Sequence, residues 1–92
     1  MSIAPYTIEP TAASLKTWLA GRVAEYVRLT PDQIRSDIPL ADYGLDSVYA
    51  LTLNADIEDY LGLALDNALM WDHPTIDALS EVLIDLLARE KS

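Results

Sequence analysis

The chain has 92 residues, 51% of them apolar and 23% charged. That fits one small folded domain and excludes a two-domain enzyme with an interdomain cleft. Fifteen Asp and Glu against six Lys and Arg give a formal charge of −9. Nucleic-acid binding needs clustered Lys and Arg, which are lacking here. Anionic membrane surfaces are disfavoured for the same reason, whereas partners with basic patches would be steered in. The chain has no Cys, which excludes a disulfide framework, a thiolate metal site and a thiol nucleophile. The first residues, Met1-Ser2-Ile3-Ala4-Pro5-Tyr6, lack the basic and long apolar regions of a signal peptide. No apolar run reaches membrane-spanning length. A cytoplasmic monomer is the expectation.

Residues 1–10 hold Pro5 and Pro10 without periodicity and read as a flexible leader; residues 11–90 read as one domain. From Thr11 to Leu29 the period is helical, with Leu15, Trp18, Leu19, Val23, Tyr26 and Val27 in one stripe. Thr11 or Ser14 can cap the start. Thr30-Pro31-Asp32 stops this helix and opens a short turn with proline at its first position. Residues 30–46 form a long connection whose Ile34, Ile38, Leu40 and Leu45 suggest that it is pinned onto the helices. A second helix is predicted from Asp46-Ser47 to about Leu61, ended by Gly62. Asp66 can cap a short helical turn through about Trp71. Thr75 caps a last helix ending near Arg89, with Ile76, Leu79, Val82, Leu83, Leu86 and Leu87 as its buried stripe. Arg89 and Lys91 suit its negative end. The fold class is all-α: a small four-helix bundle of three main helices and one short one, with a long first loop. Trp18 and Trp71 are expected to anchor its core.

The second helix carries the functional information. With Ser47 at 0° and ~100° per residue, Tyr49, Tyr60, Leu53, Ile57, Ala50 and Leu61 fall in one sector, read as core-facing. Glu58, Leu51, Ala55, Val48, Asp59 and Thr52 fall opposite. That mixture of apolar and acidic residues suits docking better than plain solvation. Ser47 lies at the border of the two sectors, at the helix start. Asp46 and Ser47 are good capping residues, and the dipeptide alone favours that reading. The functional reading, an exposed hydroxyl that accepts a phosphodiester-linked group whose charge the helix N-terminus partly offsets, needs more than the dipeptide.

The longer pattern separates the two. Asp42-Tyr43-Gly44-Leu45-Asp46-Ser47-Val48 resembles the G-x-D-S-[LMV] signature of acyl carrier proteins. Leu15 and Trp18-Leu19 resemble the first helix of polyketide-synthase carrier domains. Trp71-Asp72-His73-Pro74-Thr75-Ile76, with Leu79, is similar to their junction between third and fourth helices. The resemblance covers roughly residues 12–89. It implies a non-enzymatic carrier on which Ser47 bears 4′-phosphopantetheine, installed from CoA by a Mg²⁺-dependent phosphopantetheinyl transferase. The arm's thiol would hold an acyl group as a thioester, so a chain without Cys gains thiol chemistry from its cofactor. The resemblance makes Asp46 the acidic residue that orients Ser47 or meets a basic partner. Gly44 permits a turn that a Cβ would hinder. Val48, Leu51, Ala55, Glu58 and Asp59 form the expected partner face. The implied partners are the transferase, an acyl-activating enzyme or acyltransferase, and a ketosynthase or other biosynthetic enzyme. Ser47-Val48-Tyr49-Ala50-Leu51 with Asp56-Ile57-Glu58-Asp59 looks like carriers loaded by fatty acyl-AMP ligases.

Other signals are weaker. His73 precedes Pro74 in a structural junction, which argues against a general base. A serine-hydrolase elbow needs G-x-S-x-G after a strand, and no strand is predicted. Asp56, Glu58, Asp59 and Asp66 lack the spacing of a Ca²⁺ loop. Gly44-Leu45-Asp46-Ser47 is more similar to acyl than to peptidyl carriers, whose motif is commonly G-G-[HD]-S. The alternatives are a peptidyl carrier of a nonribosomal peptide pathway, or an acidic helical interaction domain that never receives the arm.

Overall fold

A computed structural model describes residues 11–91; the expected leader and the side chain of Lys91 lie outside what it describes. Four α-helices follow one another: α1 (Ala12–Val27), α2 (Ser47–Leu61), α3 (Leu69–Asp72) and α4 (Ile76–Lys91). The described residues contain no strand. Two 3-10 turns, Pro31–Gln33 and Leu40–Tyr43, punctuate the loop between α1 and α2.

The helix ends follow local chemistry. Thr11 and Ser14 cap α1 together: the Ser14 N–H donates to Thr11 Oγ1 at 3.0 Å, and the Thr11 N–H to Ser14 Oγ at 2.9 Å. The helix ends at Val27, two residues before the expected Leu29, because Arg28 turns left-handed at φ 62°. Thr30 and Gln33 close a capping box around the proline-led turn. Gly62 ends α2 at φ 69°, its N–H on the Glu58 carbonyl at 2.8 Å. Asp66 does not cap α3. Its carboxylate accepts the Ala68 N–H at 2.8 Å in the preceding turn, and α3 starts at Leu69. Thr75 caps α4 through the Ala78 N–H at 3.1 Å.

The core comprises Leu15, Leu19 and Val23 of α1, Leu53 and Ile57 of α2, Met70 of α3 and Ile76, Leu79 and Leu83 of α4. α1 packs chiefly on α4. The long loop is pinned as its apolar residues suggested: Ile34, Leu40 and Leu45 are buried, while Ile38 is half-buried. Two backbone bonds fasten it to the α3–α4 junction, Leu40 N–H to Pro74 O at 2.9 Å and Asp77 N–H to Ser36 O at 3.0 Å. The Arg35 N–H also donates to Tyr43 Oη at 2.7 Å. This strapping fixes the segment that leads into α2.

Three expectations about the core are corrected. Trp71 is 66% exposed. It lies on a helix of four residues, too short for periodicity to indicate its facing, and Met70 beside it is buried instead. Tyr49 and Tyr60, placed in the core sector of the second helix, are exposed. The buried sector lies further round, where Asn54 joins Leu53 and Ile57. The two tyrosines sit at the α1–α2 seam and pair with aromatic rings there. Trp18 is half-buried at the same seam.

The seam is a ladder of three rungs. Trp18, Arg22 and Tyr26, four residues apart on α1, meet Tyr60, Asp56 and Tyr49 on α2. Trp18 stacks on Tyr60 with ring centroids 4.2 Å apart and planes at 6°. Arg22 Nη2 lies 3.0 Å from Asp56 Oδ2. Tyr26 stacks on Tyr49 at 5.6 Å, and its hydroxyl also donates to Asp56 Oδ2. Pairing in this order makes the two helices antiparallel.

Candidate functional site

The residues of the Gly44–Ser47 motif come together at the start of α2. Gly44 closes the Leu40–Tyr43 turn at φ 86°, a left-handed conformation that L side chains rarely adopt. Leu45 is buried and anchors the next residue pair. Asp46 is then the N-cap: its Oδ1 accepts the Tyr49 N–H at 3.0 Å, and its carbonyl takes the Ala50 N–H at 2.8 Å. The capping role left open between Asp46 and Ser47 thus falls to Asp46.

Ser47 becomes the first helical residue, exposed to solvent. Among the described residues nothing hydrogen-bonds its hydroxyl. The N–H groups of Ser47 and Val48, in the first turn, have no intrahelical acceptor. A 15-residue helix directs the positive end of its dipole at this point. A phosphodiester on Ser47 Oγ would therefore meet free N–H donors, the helix dipole and no steric obstruction. These residues fit a phosphopantetheinyl group.

The residues expected to form a partner face differ in exposure. Val48 is 67% exposed and Leu51 55%, and Ala55 and Asp59 are exposed as well. Glu58 differs: it is half-buried, and its Oε2 accepts the Leu65 N–H at 2.7 Å, tying the α2–α3 loop to α2. Asp46, too, is engaged, by the cap.

Sequence reasoning missed Trp71 as a surface residue. With Leu40, Ala41, Leu45, Ala50, Met70 and Pro74 it lines an apolar cleft of about 90 Å³. Leu45 and Ala50 flank Ser47 in the chain, so the cleft lies beside the start of α2. The acidic residues that could suggest a cation site are dispersed. Asp56 pairs with Arg22, Glu58 with Leu65, and Asp66 with Ala68. No three His, Cys, Asp or Glu side chains among the described residues could hold a metal ion.

The family model for the phosphopantetheine attachment site matches residues 17–83. The chain is 42% identical over 64 residues to the polyketide synthase GfsA of Streptomyces halstedii. That match covers 68% of this chain and 1% of that protein. Among solved structures, a free-standing peptidyl carrier protein of Acinetobacter baumannii superposes with a TM-score of 0.80 at 39% identity, over 84% of this chain and 96% of that one. The acyl carrier protein LipD of Actinoplanes friuliensis superposes at 0.72 with 49% identity, over 95% and 94%. The family model spans the seam, the cap and Ser47 alike. The chain therefore belongs to the phosphopantetheine-attachment family, as a non-catalytic helical carrier domain related to those of polyketide synthases.

Proposed function

We propose that the chain carries acyl or polyketide intermediates as thioesters on a phosphopantetheine arm attached to Ser47. The observation that carries this reading is the division of labour at the start of α2. Asp46 supplies the cap, which leaves the Ser47 hydroxyl unbonded, exposed and set on the positive end of a 15-residue helix. When bound, the group supplies the thiol that a chain without Cys lacks. The protein's own residues do the rest. Ser47 Oγ offers the attachment oxygen, free N–H groups of the first turn face the phosphate, and the strapped loop holds both in place. Tethering raises the effective concentration of a bound intermediate to about the millimolar range for each partner enzyme.

The partners proposed are a phosphopantetheinyl transferase, an acyl-activating enzyme such as a fatty acyl-AMP ligase or an acyltransferase, and a ketosynthase or similar enzyme. Val48, Leu51, Ala55 and Asp59 form the face they meet, with acidic Asp46 at its edge. An exposed apolar surface beside the reacting serine is what a docking enzyme can bury. The 49% identity to an acyl carrier and the Gly44-Leu45-Asp46-Ser47 motif favour the acyl over the peptidyl class.

Transfer kinetics test the face. Val48→Glu and Leu51→Glu are expected to lower kcat/KM for phosphopantetheinylation by about tenfold, a loss of ~1.4 kcal/mol at a docking contact. The same change at exposed Leu29, beyond the end of α1, is expected to have little effect. Equal effects at all three positions would contradict the assigned face.

A further inference from the structure

The apolar cleft beside Ser47 is built from three parts of the fold. Leu40 and Leu45 come from the loop before α2, Ala50 from the start of α2, and Met70, Trp71 and Pro74 from α3 and the junction after it. The Leu40 N–H donates to the Pro74 carbonyl at 2.9 Å, so two sides of the cleft are fastened to each other. Leu40, Leu45 and Met70 are buried, and packing fixes their side chains. The cleft is therefore preformed. Trp71 at its edge is exposed, although burying an indole ring is among the largest apolar gains open to a small domain.

Size, lining and place limit the occupant. An apolar cavity of ~150 Å³ accepts a benzene ring. At about 90 Å³ this cleft suits a group a little over half that size, not a long acyl chain. Its lining residues bring no charged or hydroxyl-bearing side chain, so an amide or an ion would enter it at a cost. Leu45 precedes Ser47 by two residues, and Ala50 follows it by three, about one helical turn. The occupant these features fit is small, branched, apolar and held a few bonds from the serine.

We propose that the cleft seats the geminal dimethyl group of the phosphopantetheine arm, with Trp71 as a positioning residue for the arm. This rests on the attachment at Ser47. The quaternary carbon that bears those methyls lies a few bonds beyond the phosphate and is the first wholly apolar part of the arm. Between it and the thiol come amide groups, whose hydrogen bonds the cleft's side chains cannot satisfy, so the acyl end stays outside. Seating the methyls holds the proximal arm against α3 and leaves the distal half, with its thioester, free to reach an enzyme. It also gives the exposed Trp71 ring an apolar neighbour.

NMR of the loaded chain tests this, once intact mass has confirmed the arm. Nuclear Overhauser contacts are expected from the geminal methyls to the Trp71 indole and the Ala50 methyl. The Trp71 indole N–H signal should move on loading. That of Trp18, stacked on Tyr60 at the other end of α2, should stay in place. An arm installed from a CoA analogue lacking the geminal methyls should leave the Trp71 signal at its unloaded position. Trp71→Ala, a change at an exposed site, should lose the contacts at Ala50. Three outcomes would overturn the proposal: geminal methyls without contacts to the domain, a Trp71 shift that persists with the methyl-free arm, or a hexanoyl-loaded chain whose terminal methyl replaces the geminal methyls at Trp71. In each the mass gain at Ser47 stands, and the carrier reading with it; a chain that gains no arm would overturn both.

Discussion

The indole of Trp18 lies flat on the ring of Tyr60, with centroids 4.2 Å apart and planes 6° from parallel. The contact closes the end of the α1–α2 seam that is remote from Ser47, as Tyr26 on Tyr49 closes the near end. Between them Arg22 and Asp56 are each about a third exposed, so solvent screening keeps that pair's contribution small. The stability of the seam therefore rests on the rings. A double-mutant cycle on Trp18→Ala and Tyr60→Ala, measured by urea unfolding, should give a coupling energy of about 1 kcal/mol. The corresponding cycle on Arg22→Ala and Asp56→Ala should give about half that or less.

Asp46 and Ser47 are neighbours with opposite sensitivities. Asp46→Ala removes the acceptor of the Tyr49 N–H and should cost about 1 kcal/mol of stability. Ser47→Ala removes a hydroxyl that bonds nothing among the described residues and should stay within about 0.5 kcal/mol. Chemical denaturation of both variants checks the contrast. It also makes Ser47→Ala a folded control for every functional assay.

Much of this arrangement is legible in the sequence. Leu15, Leu19 and Val23, and Ile76, Leu79 and Leu83, recur at helical spacing, and all six are buried. Ser47 is marked by a motif whose neighbours each have a local physical role: a left-handed glycine, a buried leucine, a capping aspartate. The aromatic residues are less legible. Tyr49 and Tyr60 lie on the edge of the apolar sector of α2, and only the position of α1 decides that they stack at a seam. Trp71 belongs to a helix of one turn, where facing is set by tertiary packing alone. Buried Asn54, whose Oδ1 has no hydrogen-bond partner, gives no apolar signal to read. Yet one signal was available. Trp18, Arg22 and Tyr26 at intervals of four match Tyr60, Asp56 and Tyr49 in reverse order, as an antiparallel pair requires.

Arg28 ends α1 in the left-handed region at φ 62° without being glycine. Glycine adopts this conformation without the Cβ penalty. Arg28→Gly should raise stability by about 0.5 kcal/mol, the relief of strain exceeding the added entropy of the unfolded chain. A higher urea midpoint with an unchanged slope would show it.

Asp77, in the first turn of α4, joins three parts of the fold. The Ser36 hydroxyl in the loop, chiefly, and then Lys16 of α1, with Nζ 3.1 Å from Asp77 Oδ1, hold its carboxyl below the usual value. A carboxyl depressed in the folded state stabilises above its ordinary pKa of about 4, and that contribution is lost as pH falls below it. The stability advantage of the wild type over Asp77→Asn should therefore be present at neutral pH and shrink as the pH falls below the ordinary carboxyl value of about 4. Urea midpoints across that range test it.

The most direct test of the carrier reading is intact mass. The purified chain and its Ser47→Ala variant would be incubated with CoA, Mg²⁺ and a phosphopantetheinyl transferase already shown to modify another carrier. The wild type is expected to gain one phosphopantetheinyl group and Ser47→Ala none. A gain that survives Ser47→Ala, or no gain by the wild type even with the transferase from its own source, would contradict the carrier reading.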